Sequence, residues 1–279
     1  MMNRRAPTLL IAPSLAVFVT LFVAPFAYFF LMSFWKKQRF TIEREFNFDN
    51  YTTAVTDENL EIGIATLVIA VTVALTTTVL GFVYAYIVRF KAGDWGKALL
   101  FVALVTLFGG YLMKIYAWKT ILGNEGVLNS AFQTLGLIDE PIAALLYSPG
   151  AVIVTLAHFL LPFAILPIYG SMRGITDIEM EAARDLGARP WQVMAGIVVP
   201  RSRAGITTAF LFTFLIAAGD YITPQLVGGK LTMTGNMIAL QFGQRFNWPL
   251  GAAMSFVVLT TALFVIATTH SLMSLWRPR

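Results

Sequence analysis

Charge is what this 279-residue chain has least of: Asp, Glu, Lys and Arg together make up 13% of it, where an average soluble domain carries about 25%. So few charges cannot cover a water-facing surface. A soluble enzyme, a disordered regulator and a nucleic-acid binder are disfavoured, and an integral membrane protein is the default. Cysteine is absent, which removes disulfides, thiolate metal sites and cysteine nucleophiles. The two histidines, His158 and His270, lie far apart inside apolar runs without zinc-ligand spacing; each reads as a packing residue rather than a metal ligand. No nucleotide-binding P-loop occurs, because Gly96-Lys97 and Gly229-Lys230 lack both the upstream glycine and the following Ser/Thr. Neither an HExxH run, a Ser/His/Asp arrangement nor a carboxylate pair is visible, so an intramembrane enzyme has no chemistry to use.

What the chain has is apolar length. Hydrophobic residues make up 57% of it, with a mean hydropathy of +0.72. A bilayer core needs about 20 helical residues, and six stretches qualify, at about 9–35, 63–88, 98–118, 149–172, 205–228 and 250–273. None alternates polar and apolar residues as barrel strands do, so the expectation is all-α with six spans. Arg4 and Arg5 precede the first run, but it is far longer than a signal-peptide core and no small-residue cleavage site closes it, so it reads as an uncleaved span. Pro13 and Pro25 are expected to bend it.

Six spans put both termini on one side. Placing them inside puts Arg4, Arg5, Arg89, Lys91, Lys97, Arg173, Arg184, Arg189, Arg201, Arg203, Arg277 and Arg279 on the inner face, the majority of the cations, as the positive-inside rule asks. The first outer loop breaks the rule with Lys36, Lys37 and Arg39. The outer loops, at roughly 36–62, 119–148 and 229–249, mix aromatics with Gly, Asn and Pro and read as ordered docking surfaces.

The inner segment 173–204 is too polar to span and too patterned to be disordered. Thr176 and Glu179 have capping-box spacing for a helix start. Ile178, Met180, Ala182, Ala183 and Leu186 give that helix apolar content, and Gly187 stops it. Pro190 opens a second short helix, which Pro200 closes near the membrane. Ala182 and Ala183 let a partner approach the backbone closely, flanked by Glu181 and Arg184. An amphipathic helix lying on the membrane surface is the plainer alternative. On the fifth span Gly205, Ala209, Thr213 and Ala217 form a small-residue stripe, as Ala70, Ala74 and Thr78 do on the second. Each suits close helix approach, within the bundle or across a dimer interface.

The run Glu181-Ala182-Ala183, three residues, Gly187, nine residues, Ile197, one residue, Val199-Pro200 resembles the EAA motif of ABC importer permeases, with Val199 where leucine is usual. Tyr116-Ala117-Trp118, Asn124-Glu125-Gly126, Leu135-Gly136-Leu137-Ile138-Asp139, Leu161-Pro162-Phe163 with Leu166-Pro167-Ile168-Tyr169, Gly219-Asp220-Tyr221, Leu226-Val227-Gly228-Gly229 and Asn247-Trp248-Pro249 are similar to the spermidine/putrescine permease subfamily, and within it to the first membrane subunit.

That resemblance implies a type I ABC importer permease fold with a cytoplasmic EAA coupling helix. Residues 1–62 would form the first transmembrane helix and outer loop, 63–273 a five-helix core including the coupling loop 173–204, and 274–279 a cytoplasmic tail. It implies a multi-pass protein of the bacterial inner membrane with both termini cytoplasmic. The implied partners are a second permease, two cytoplasmic ATPase subunits that bind the ATP and Mg, and an extracytoplasmic substrate-binding protein. The chain itself would bind no cofactor or metal. Glu181, Ala182, Ala183, Gly187, Ile197 and Pro200 inherit the coupling role. The implied cargo is a small cationic solute, a polyamine first of all, moved by alternating access; related permeases carry other amines, opines or organophosphonates. A stand-alone carrier needs an ion-coupling site, for which one embedded carboxylate is thin support. That carboxylate, Asp220, stands near the outer end of its span. An ionisable group there defaults to a functional reading: it either holds a passing cation together with Tyr221, Tyr116 or Trp118, or bonds to nearby backbone or Lys114 and only shapes a gate.

Overall fold

A computed structural model describes the backbone of residues 6–39 and 41–275 and the side chains within 11–271, residues 40 and 270 excepted. Among the described residues five helices are long and apolar enough to cross a bilayer, lying at Ile11–Met32, Asp57–Phe90, Pro149–Met172, Pro190–Gly219 and Trp248–Thr269, and the bent pair Gly93–Phe108 with Tyr111–Thr134 brings the number to six when it is counted as one span. Helices satisfy every backbone polar group internally, which is why apolar runs of this length adopt them. The side chain of His270 and the terminal cations Arg4, Arg5, Arg277 and Arg279 lie outside the described residues. The chain divides into two compact units, Met1–Glu61 with Met237–Thr260, and Ile62–Asn236 with Thr261–Arg279.

In the first unit the opening span is α1 (Ala6–Phe18), a π-turn at Val19–Val23, and α2 (Ala24–Met32). Pro13 is absorbed inside α1, whereas Pro25 follows the π-turn, where the Ala24 amide reaches back to the Val19 carbonyl. Strands β1 (Lys36–Gln38) and β2 (Thr41–Glu43) then pair antiparallel, Lys36 opposite Glu43, and α3 (Asp49–Ala54) follows. The expected order of this loop has a clear source. Asn50 donates to the carbonyls of Ser33 and Trp35, at 2.9 and 2.7 Å, and Phe34 packs on Phe46, Phe48 and Tyr51 with ring centres 4.7 to 5.5 Å apart.

The second unit is built on α4 (Asp57–Phe90, from Ile62 on), α5 (Gly96–Phe108), α6 (Tyr111–Leu122), α7 (Val127–Thr134) and α8 (Pro149–Met172). After α8 come α9 (Asp177–Asp185), α10 (Pro190–Val193), α11 (Val199–Gly219) and α12 (Ile222–Val227). Helices α13 (Thr234–Gly243) and α14 (Trp248–Leu275) run across both units in sequence. The most extensive pairing is α8 with α11. The small stripe on α11 makes it possible: Gly205, Ala209, Thr213 and Ala217 are buried, and a Cβ on Gly205 would lie 2.9 Å from the Ile168 Cα. The stripe therefore serves packing within the bundle. On α4, Gly81 meets α8 equally closely, its missing Cβ 2.8 Å from that of Ala164.

Three expectations need correction. The run 98–118 is not one straight span: α5 and the following helical segment are bent by 99°. Gly109-Gly110 adopts extended backbone there, because a glycine pair has little helix preference, and Lys114 donates to the orphan Thr106 carbonyl at 2.5 Å. Pro200 does not close the second short helix. Residues 190–219 continue as one helical span through a π-turn at Met194–Val198, with the Val199 amide bonded to the Met194 carbonyl. The proline ring lacks an amide and crowds the carbonyl four residues back, and the wider turn accommodates it. Finally, the fifth span does not extend to 228; α11 ends at Gly219, with Asp220 extended.

Candidate functional site

The segment after α8 gives the coupling candidates their positions. Thr176 accepts from the Glu179 amide at 3.3 Å while the Glu179 carboxylate accepts from the Thr176 amide at 3.0 Å, the expected capping box. Gly187, at φ +85°, ends α9, a conformation that disfavours any side chain. Of the motif residues, Glu181, Ala182 and Gly187 are exposed, and Ile197 and Pro200 half-buried. Ala183 turns inward, packing with Met180, Ala188 and Ile197 on a cluster that holds Ala85, Ile168, Met172, Ile175 and Val198. Of the two alanines, Ala182 is thus the one left open to a partner's approach. Around it stand three large apolar side chains with little to cover them: Ile178 is 75% exposed, Leu186 89% and Trp191 63%.

Two arginines hold the start of α9. Arg89, at the end of α4, donates to the Ile175 carbonyl at 2.7 Å and pairs with Asp177 at 3.4 Å. Arg201, in the first turn of α11, pairs with Glu179 at 2.5 Å and donates to the Gly174 carbonyl at 3.1 Å. The Thr176 amide, joined by the Arg201 charge, holds the Glu179 carboxyl below its ordinary range. Read from sequence, both arginines are only topological charges; nothing local marks a partner 88 residues away.

The second group of candidates lies where two helices break. Asp220 accepts from the Ile222 and Thr223 amides at 3.3 and 3.2 Å and from the Tyr111 hydroxyl at 2.5 Å. With its proton used there, the Tyr111 oxygen accepts from Thr223, 2.7 Å away. So Asp220 ties the start of α12 to the start of α6. Lys114, expected beside it, caps α5 instead and stands over the Phe159 ring at 5.3 Å. Tyr116 and Tyr221 are exposed, and Trp118 meets the His158 ring edge-on at 5.9 Å. Tyr111 is the partner that sequence reasoning missed; its position directly after Gly109-Gly110 is the one cue available.

The model of the family described as binding-protein-dependent transport system inner membrane component matches residues 98–275. Among curated proteins, the spermidine/putrescine transport system permease protein PotB of Escherichia coli (strain K12) is 34% identical over 223 residues, covering 80% of each chain. The inner membrane ABC transporter permease protein YdcU of the same organism is 33% identical over 281 residues, covering 91% of this chain and 88% of that one. Among solved structures, a chain of a bacterial alginate ABC transporter, in complex with an alginate-bound periplasmic protein, superposes with a TM-score of 0.77 at 15% identity, covering 94% of this chain and 91% of that one. At that identity the match speaks for the fold.

Proposed function

The chain belongs to the binding-protein-dependent transport system inner membrane components, the permeases of ABC importers, and from that membership we propose that its cargo is a polyamine of the spermidine/putrescine class. One observation carries the cargo assignment: the 34% identity to a spermidine/putrescine permease across 80% of both chains. As a permease subunit the chain is a non-catalytic part of the translocation path, and ATP hydrolysis resides in a partner ATPase.

In the proposed assembly one copy pairs with a second permease, two ATPase subunits sit beneath them, and one substrate-binding protein docks on the opposite face. Both termini and α9 lie on the cytoplasmic side. ATP-driven closure moves the ATPases, and α9, through Ala182 and the exposed side chains beside it, carries that movement into the spans. A rigid capped helix transmits displacement better than a flexible loop. Ile197 and Pro200 act in the same chain of contacts, at the π-turn that leads into α11. Asp220, with its acceptors engaged by Tyr111 and α12, holds the far end of the path in shape; Tyr221, Tyr116 and Trp118 remain candidates for brushing against cargo there.

The test is ATP hydrolysis by the reconstituted complex, stimulated by its loaded binding protein, across putrescine, spermidine and non-amine solutes. The proposal expects stimulation by the amines. Stimulation only by a non-amine removes the cargo assignment and leaves the importer assignment standing.

A further inference from the structure

The start of α9 is gripped from two sides, and the two grips come from different spans. Arg89 closes the last turn of α4 and reaches the Ile175 carbonyl and Asp177. Arg201 opens α11 and reaches the Gly174 carbonyl and Glu179. Each guanidinium therefore takes one backbone carbonyl and one carboxylate from the same short stretch, 174–179. The Arg89 fork is also steadied over the Phe90 ring, 4.7 Å from its centre.

We infer that Arg89 and Arg201 are positioning residues for coupling: together they fix the orientation of α9, so that a displacement applied to it is delivered at once to α4 and α11. The inference rests on the reading of α9 as the ATPase-facing element. It follows from what the other contacts can and cannot do. Met180 and Ile175 bury α9 against the bundle, but apolar burial is non-directional and lets a helix roll in its seat. The connection from α8 runs through Arg173-Gly174-Ile175-Thr176, a turn and a short extended link outside any helix, which without the arginines has no ladder of helical bonds to stiffen it under load. The forked guanidinium supplies the missing direction, because its planar donors meet a carbonyl and a carboxylate in fixed geometry. The individual ion pairs are exposed and contribute little stability. Their value is geometric, and the effect is read in coupling rather than in folding.

The experiment uses the full complex in proteoliposomes, comparing Arg89→Gln, Arg201→Gln and the double variant with the parent. Uptake per ATP hydrolysed is measured together with the amount of ATPase that co-purifies. The expected result is wild-type ATPase content with the transport ratio reduced roughly tenfold in each single variant, the scale of one charge-assisted hydrogen bond. Arg201→Lys, which reaches Glu179 or the Gly174 carbonyl but not both, should recover part of the ratio. A nitroxide at Asp185→Cys, in a chain with no cysteine of its own, should report a looser α9 in the glutamine variants. An unchanged transport ratio in the double variant overturns the inference, as does a loss fully explained by missing ATPase. Leu186→Asp is the control for the underlying reading. If it leaves ATPase binding intact, α9 is not the docking element and the reading itself fails; if it releases the ATPase while the arginine variants stay fully coupled, only the positioning role fails.

Discussion

Gly205 shows how little room a single residue has at the α8–α11 contact. A methyl group there would run into the Pro167 carbonyl and Ser171 as well as the Ile168 Cα, so Gly205→Ala should destabilise the solubilised protein by about 1–3 kcal/mol, the usual cost of overpacking, and thermal melting in detergent will read it. Asp220 answers a different question at the same scale. Asn keeps an acceptor for the α12 amides whereas Ala keeps none, and losing such a cap costs about 0.5–2 kcal/mol. Asp220→Ala should therefore melt earlier than Asp220→Asn. If Asp220 shapes the path rather than binding cargo, Asp220→Asn also transports every cationic substrate at the parent rate; a selective loss of cation uptake would make it a cargo contact. Glu179 sets a pH limit. Its carboxyl is held below the ordinary range by the Thr176 amide and then Arg201, so its contribution is complete above the unfolded carboxylate range near pH 4.5 and is lost as pH falls through the lowered folded value. The mobility of a label on α9 should be flat from pH 8 to about 5 and rise only in stronger acid, and Glu179→Gln, which starts looser because the Arg201 pair is already gone, should show a smaller acid rise.

Among the elements, the two π-turns share one cause. Pro25 and Pro200 each stand two residues after such a turn, and in each the residue before the proline bonds five back. Pro200→Ala restores the missing amide, and the Met194–Val198 turn should revert to α. Losing one inserted residue rotates everything upstream by about 100° around the axis, which puts Val193, now buried, where exposed Gln192 now stands. A cysteine introduced as Val193→Cys should thus be unreactive to maleimide in the parent and reactive with Pro200→Ala, and transport should fall with it. None of this was legible in the sequence, although the spans were. Apolar length fixes that a run is helical, and Thr176, Glu179, Gly187 and Pro190 fix α9 and the start of α10, because caps and stops act within a few residues. The end of α11 at Gly219 and the arginine grips depend on partners distant in sequence, Tyr111 on Asp220 and Arg89 on Ile175, and the bend at Gly109-Gly110 on a lysine that reaches back eight residues, Lys114 on the Thr106 carbonyl. Hydropathy alone runs straight through all three.

At the scale of the whole molecule the exposed apolar surface falls into two classes with different destinations. Of the apolar window in Ile11–Met32 only 6% is buried, against 56% in Pro149–Met172; side chains exposed along a span have lipid or a second permease to cover them. Ile178 and Leu186 have no such explanation, because they stand on α9 and at its C-terminal cap, outside the spans and next to Glu181 and Arg184, and Trp191 lies in the first turn of the 190–219 helix, at its α9 end. Large apolar groups beside charges are the composition of a protein interface, where a few anchors carry most of the affinity and tryptophan is prominent among them. Under the proposed assembly the ATPase covers them, and Trp191 is the strongest anchor. Trp191→Ala should weaken ATPase binding by about 2 kcal/mol, roughly 30-fold in Kd, with Ile178→Ala showing a smaller loss. Titrating the ATPase onto the permease pair in nanodiscs measures both. The substitutions remove exposed rather than buried side chains, so melting of the permease should stay within about 0.5 kcal/mol of the parent. Weakened binding with unchanged melting is the pattern that separates a docking face from a structural one; unchanged affinity in both variants would mean that the ATPase seats elsewhere.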